Sequence, residues 1–194
     1  MDKQESGFKI ISVLVLIAFF AAALLAYVNK ITREPIARNM KEETRHAVRI
    51  VLNSLGHIEY PDDPLAKNLS SFQAKYFPAR DSTGKVIGYA VIVNAPNGFS
   101  GDFEMMIGID STGKVLDTYV LNHKETPGLG DNMKKEDFRK QFRGRTLDNT
   151  KWAVKKDGGD IDALTAATIT SRAFTSGVKR ALMVFQALKE EKEK

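Results

Sequence analysis

Hydroxyl side chains crowd one short segment of this chain: Thr165, Thr168, Thr170 and Ser171 fall within seven residues, preceded by Asp162. A run of apolar residues at helical spacing begins directly after them, so the segment opens a helix. At such an opening the first backbone amides lack intrahelical partners, and the aligned peptide dipoles favour negative charge. One Ser or Thr is enough to cap a helix. Four hydroxyls, with the small Ala166 and Ala167 between them, also make a receptor for a phosphate group. Residue types alone leave both readings open, an N-cap and an anion site.

Two further segments have compositions that sheets and helices do not require. Asn97-Gly98-Phe99-Ser100-Gly101 lies between two apolar runs. Its plain reading is a hairpin loop, glycine being the default turn residue. Its functional reading is a backbone that approaches a planar ligand at Gly98, with Phe99 placed to stack on it. The second segment runs from His123 to Asp131 and contains Glu125-Thr126-Pro127-Gly128-Leu129-Gly130. It reads as a rigid turn followed by exposed amides, which can hold a phosphate or the edge of a ring. His123 reads as a structural histidine at a strand end. No residue is assigned a catalytic role, and no set of metal ligands is assigned.

The elements that must position these segments follow from periodicity. The stretches 74–80, 86–94, 102–110 and 115–123 are rich in β-branched and aromatic residues, and Phe103, Met105, Ile107 and Ile109 alternate as one buried sheet face. The pentapeptide Asp-Ser-Thr-Gly-Lys occurs twice, at 81–85 and 110–114, and has the chemistry of a hairpin turn. Two hairpins give a four-stranded antiparallel sheet. Tyr60 to Leu69, with Pro61 and Pro64, reads as a loop, Lys134 to Phe142 as a polar helix, and the residues around Trp152 to Val154 as a short strand. The last helix carries Phe174, Val178, Ala181, Leu182, Phe185 and Leu188 on one face. Helices against one side of an antiparallel sheet make the fold class α+β.

An apolar segment precedes this domain. Ile10 to Val28 holds nineteen uncharged residues, which as a helix span a hydrocarbon core, with Lys9 before it and Tyr27, Lys30 and Arg33 at its far end. Ala21, Ala22 and Ala23 give a cleaved signal peptide as the competing reading, but the run exceeds the usual h-region of about 7 to 15 residues. Beyond it, residues 36–55 have helical periodicity, with Pro35 expected in the first turn of that helix. The expected organisation is an N-terminal tail (1–9), a transmembrane helix (10–28), a membrane-proximal helical stalk (29–57) and a cofactor-binding domain (58–194). The net charge of +5 is densest just after the anchor, which points to lipid headgroups and not to nucleic acid. The 194 residues contain no cysteine, which excludes disulfides, thiolate metal sites and thiol catalysis within them. More cations follow the span than precede it, so a plain count places the domain in the cytoplasm.

Asp162-x-x-Thr165-Ala166-Ala167-Thr168-x-Thr170 resembles the flavinylation motif of the FMN-binding domain family. Glu125 to Gly130 resembles a signature of the same family near the isoalloxazine ring. The two motifs, in the family's order behind an N-terminal anchor, extend the resemblance over nearly the whole chain. Members of this family include the G subunit of the Rnf electron-transport complex and the C subunit of the sodium-translocating NADH:quinone reductase, and chain length favours the former.

The resemblance implies one FMN per chain, joined to Thr168 by a phosphoester that a separate flavin transferase makes, so that the chain is formally a phosphoprotein. It implies cofactor contacts from Gly98, Phe99, Glu125, Thr126, Pro127, Gly128, Leu129, Gly130, Thr165, Ala166, Ala167, Thr170 and Ser171. The implied role is electron carriage, without turnover of its own, among the other subunits of a membrane complex that couples ferredoxin:NAD oxidoreduction to Na+ or H+ translocation. It also implies a flavin domain outside the cytoplasmic membrane, against the charge count. The alternatives are the quinone reductase component, a membrane-tethered module that holds FMN noncovalently, and an assembly protein with an empty domain. One position departs from the family pattern: Ala166 stands where glycine is usual. If that position needs positive φ, alanine costs on the order of 1 kcal/mol.

Overall fold

The computed structural model describes residues 2–69 and 72–192. The chain divides into two compact units, one ending at Glu43 and one beginning at Thr44. Helix α1 (Asp2–Val51) supplies the first. From Lys9 onward it is long and apolar enough to cross a bilayer, with exposed apolar side chains such as Leu14, Phe19, Phe20 and Leu25. The expected tail is therefore helical from Asp2, and the anchor and the stalk form one helix. Pro35 lies inside that helix and not in a first turn. It lacks the amide that would reach back to the carbonyl of residue 31, a local weakness that the helix tolerates.

The second unit is built on a five-stranded antiparallel sheet in sequence order: β1 (Leu65–Asn68), β2 (Gln73–Arg80), β3 (Val86–Ala95), β4 (Phe103–Asp110) and β5 (Val115–Asn122). Four strands match the periodicity to within a residue or so. The fifth, β1, falls in the stretch read as a loop. It is a short edge strand between Pro64 and Leu69, paired along one side only, and it has no alternating apolar pattern to announce it. The two Asp-Ser-Thr-Gly-Lys turns fold alike. Asp81 accepts bonds from the Thr83 amide and hydroxyl and from the Lys85 amide, and Asp110 does the same for Thr112 and Lys114. In each turn the aspartate and threonine make these bonds, and Gly84 and Gly113 take the positive φ.

Both faces of the sheet are covered, where the periodicity predicts one. On one face Val91, Val93, Met105, Ile107 and Ile109 meet Phe174, Val178, Ala181 and Leu182 of helix α3 (Thr168–Lys192). On the other, Phe77, Ala90, Ile92 and Met106 meet Ala47, Val48 and Val51 at the end of α1 and Leu52 directly after it. Gly108 lies beneath that end: a Cβ there would run into the Val51 carbonyl.

The polar helix expected over 134–142 is broken into a 3-10 turn (Gly130–Lys134), a single α-helical turn α2 (Glu136–Arg139) and a second 3-10 turn (Lys140–Phe142). Phe138 and Phe142 pin it against Phe174 with ring centroids 5.2 and 5.0 Å away. The strand expected near Trp152 is a single parallel bridge between Val154 and Ile161.

Strand direction decides where the site forms. The loop between β3 and β4 and the segment leaving β5 emerge at one end of the sheet, whereas both Asp-Ser-Thr-Gly-Lys turns lie at the other. Gly108→Ala should cost about 1 to 3 kcal/mol by overpacking α1 against β4. Thermal unfolding of the detergent-solubilised chain should show a fall of roughly 2 to 4 °C per kcal/mol, and an unchanged midpoint would contradict the close approach.

Candidate functional site

At that end of the sheet, three segments converge on one carboxylate. Glu125 is 5% exposed, and each of its oxygens has a partner on a different segment. Oε1 accepts a bond from the Ser100 amide at 3.2 Å, and Oε2 accepts one from the Thr170 hydroxyl at 2.8 Å. A buried carboxylate without such donors would be strongly destabilising. Here it ties the β3–β4 loop and the start of α3 to the segment after β5.

The glycines around this carboxylate are explained by space. A Cβ at Gly98 would run into the Gly101 carbonyl and come within 2.7 Å of Oε1, and a Cβ at Gly130 would run into Oε2 and lie 2.8 Å from the Thr170 hydroxyl. Neither glycine has positive φ. In these two loops the left-handed positions are Asn97, Gly101 and Gly128. Asn97 is held there by Asp102, whose carboxylate accepts the Asn97 amide at 3.0 Å and the Asn94 side chain at 2.8 Å. Those two bonds, the first the larger, keep the Asp102 carboxyl below the usual carboxylate range.

Thr126-Pro127-Gly128-Leu129 forms a tight turn in which the Thr126 carbonyl accepts from the Leu129 amide, with Pro127 and Gly128 at its centre and Gly128 at φ +77°. The Asp131 amide returns to the same carbonyl. The expected turn is present, but these two amides satisfy the Thr126 carbonyl and are not offered to a ligand. His123 is structural: its Nδ1 accepts from the Glu125 amide at 3.2 Å, which leaves Nε2 to face Asp131 at 3.2 Å. The Lys134 ammonium paired with Asp131 is the main reason that carboxyl sits below its ordinary value.

The hydroxyl cluster divides into distinct roles. Ser171 is buried; its Oγ accepts the Leu164 amide and donates to the Ala167 carbonyl, closing the turn that precedes α3. Thr170 is spent on Glu125, and Thr165 is exposed. Thr168, the first residue of α3, is partly exposed and lines the cavity. Ala166, beside it, has φ +58°.

The cavity has a volume of about 290 Å3 and is lined by Phe99, Glu125, Thr126, Leu129, Gly130 and the run from Ala166 to Thr170. Phe99, Leu129 and Ile169 on its rim are 67%, 43% and 45% exposed. Three large apolar side chains left in solvent around one concave site mark a surface made to be covered.

The profile of the FMN-binding domain family matches residues 98–183, a span that begins at the first of these loops and ends in α3. The chain is 36% identical over 186 residues to the G subunit of the ion-translocating oxidoreductase complex of Shewanella baltica (strain OS223), covering 89% of this chain and 86% of that protein. The same-named proteins of Aliivibrio fischeri (strain ATCC 700601 / ES114) and Salmonella typhimurium (strain LT2) are each 36% identical, with 92% and 90% of this chain covered and 90% of each relative. The chain belongs to this family of G subunits. Among solved structures, that of NqrC from Shewanella oneidensis superposes with a TM-score of 0.50 at 19% identity, covering 67% of this chain and 70% of that one. That likeness concerns the fold.

Of the residues singled out in the sequence, Phe99, Glu125, Thr126, Leu129, Gly130, Ala166, Ala167, Thr168 and Thr170 lie around the cavity. Gly98, Pro127, Gly128 and Ser171 shape the loops behind it, and Thr165 faces solvent. Sequence reasoning missed the supports. Gln141 clamps the backbone of Asp162, its side-chain oxygen accepting the Asp162 amide at 2.8 Å and its amide donating to the Asp162 carbonyl at 3.2 Å. Lys155 pairs with the Asp162 carboxylate at 2.8 Å, and Lys156 Nζ lies 3.4 Å from the Thr168 hydroxyl. None of these carries a local signal, because the partners come from separate turns of the chain and share no spacing that a helix or strand would impose.

Two outcomes follow from this geometry. Ala166→Gly should raise stability by about 1 kcal/mol, read as a higher midpoint of thermal unfolding, because it relieves a left-handed alanine. The Asp102 clamp should be pH-sensitive in one direction. Its folded value lies below the unfolded value of about 3.9, so its contribution is complete above that value and is lost as pH falls through the lower one. The amide resonance of Asn97 should therefore be unchanged from pH 7 to pH 5 and move only below about pH 4.

Proposed function

We propose that this chain is the FMN-carrying electron-transfer subunit of an ion-translocating oxidoreductase complex, with the flavin esterified through its phosphate to Thr168. The observation that carries the attachment is the division of the hydroxyls. Thr170 and Ser171 are consumed by buried hydrogen bonds, while Thr168 opens both to the cavity and to the N-terminus of a 25-residue helix. Phosphate is favoured there by the helix dipole and by the unpaired first amides.

The residues present fit the group. Phe99, Leu129 and Ile169 offer apolar contact to a planar ring, and Glu125 and Gly130 form the polar back of the cavity. FMN supplies the capacity to accept and release one or two electrons. The chain binds it, orients it and sets the polarity around it, which is how proteins generally tune such cofactors. An ester to Thr168 keeps the carrier in place where no free flavin replaces it. The partly open cavity suits carriage, since an electron must enter and leave by way of neighbours.

The apolar part of α1 anchors the protein as a single span, and Ala18, Ala21, Ala22 and Ala23 are small enough for close helix contact with other membrane subunits. We place the flavin domain on the extracytoplasmic face of the cytoplasmic membrane, within an Rnf-type complex that exchanges electrons between ferredoxin and NAD and moves Na+ or H+. A flavin transferase is the maturation partner.

Intact mass tests the attachment. The full chain made with a flavin transferase should gain one FMN less one water, and Thr168→Ala should gain nothing. An unmodified wild-type mass with and without the transferase would remove the ester and leave reversible binding in its place.

A further inference from the structure

Among the described residues, the cations around Thr168 are not equivalent. Lys155 is committed to the Asp162 carboxylate at 2.8 Å. Arg172 holds both oxygens of Asp157, at 2.7 and 2.8 Å. Lys134 is held by Asp131. Lys156 is the exposed cation whose ammonium points at the reacting hydroxyl, with Nζ 3.4 Å from Oγ1 of Thr168.

The loop that presents Lys156 is built and not slack. The Lys155 amide donates to the Ile161 carbonyl at 2.8 Å, and Val154 and Ile161 form a parallel bridge. The Asp160 carboxylate accepts the Lys151 amide at 2.7 Å, and Gly158 turns the chain at φ +80°. The Asp157–Arg172 pair then fastens the same loop to the first turns of α3, so Lys156 and Thr168 are held from both sides. Arg172 is the main reason the Asp157 carboxyl lies below its ordinary value, and Lys156 acts on it only as a lesser charge.

We propose that Lys156 is the counter-ion of the phosphate that esterifies Thr168, holding its charged oxygens at the mouth of the cavity. The inference rests on the attachment reading above and deepens it. Bound as a diester, the phosphate retains one negative charge. An ammonium beside Oγ1 lies on the side where the phosphate oxygens, two bonds beyond it through phosphorus, would stand, and a charge-assisted bond there is stronger than a neutral one. The cation and the N-terminus of α3 then meet the same anion from two directions. Lysine supplies a point charge, so arginine should serve at the same place and glutamine should not.

The test uses the full chain, co-produced with a limiting amount of a flavin transferase, and reads the flavinylated fraction over time by intact mass. Lys156→Gln should lower the rate roughly 1.4- to fivefold, the range expected for one exposed charge pair. Lys156→Arg should restore it, and Lys179→Gln, a charge-matched change elsewhere on α3, should leave it at the wild-type value. In the purified flavinylated proteins, the 31P resonance of the ester should shift in Lys156→Gln and return toward its wild-type position in Lys156→Arg. Equal rates in wild type and Lys156→Gln overturn the inference. A slower Lys156→Gln with an unmoved 31P resonance also overturns it, because the lysine would then serve the transferase and not the phosphate. Modification of wild type but not of Thr168→Ala shows that attachment stands whichever way Lys156 falls; an unmodified wild type overturns both.

Discussion

The buried carboxylate of Glu125 is the constraint on which the rest of the site depends. A polar side chain at 5% exposure has to be met by partners from its surroundings, and the donors here come from segments far apart in the chain, Ser100 and Thr170. Once it is met, the loop after β3, the turn after β5 and the first turn of α3 can no longer move independently. The same carboxylate helps to explain two glycines that have ordinary backbone angles: Gly130 leaves room for Oε2, and Gly98 leaves room for the Gly101 carbonyl and then for Oε1. A residue at either position with any side chain would push against the very atoms that join the segments.

From that anchor the remaining polar groups sort by what they have left to give. Thr170 and Ser171 are buried and donate their hydroxyl protons to Glu125 and to the Ala167 carbonyl, whereas Thr168, at the very start of the helix, is partly exposed at the cavity. Ala166 sits in a left-handed conformation that brings the chain round to present Thr168 as the first helical residue. Behind it, Gln141 and Lys155 fix Asp162, one through the backbone and one through the carboxylate. The motif is thus a rigid ramp leading into a helix, and its aspartate is a structural member of it rather than a wall of the cavity.

The sheet supplies the stiffness for this arrangement. It is gripped on one face by α3 and on the other by the end of α1, and the two apolar clusters share strands β3 and β4. The two strands that flank the Gly98–Phe99 loop are therefore the most deeply buried ones. A carrier of electrons benefits from such a base, because a cofactor held by loops on a rigid sheet keeps its distance from neighbouring redox centres, while the open rim of Phe99, Leu129 and Ile169 leaves it accessible.

The sequence by itself determined the apolar span, four strands with their turn chemistry, the last helix, and the order of two motifs from which the family was legible. These are local facts: alternation, helical spacing, and aspartate–glycine turns announce themselves within a few residues. It left β1 unread because a short edge strand is paired on one side and has no alternating pattern, and it placed Pro35 at a helix start because nothing local says that two helical runs are joined. It assigned helices to one face of the sheet, since the apolar residues at 47–52 do not say what they cover. Above all, four neighbouring hydroxyls are equivalent in sequence. Only the tertiary structure separates them, because a hydroxyl's role is set by which distant atom reaches it: Glu125 arrives at Thr170, the Leu164 amide at Ser171, and Lys156 at Thr168.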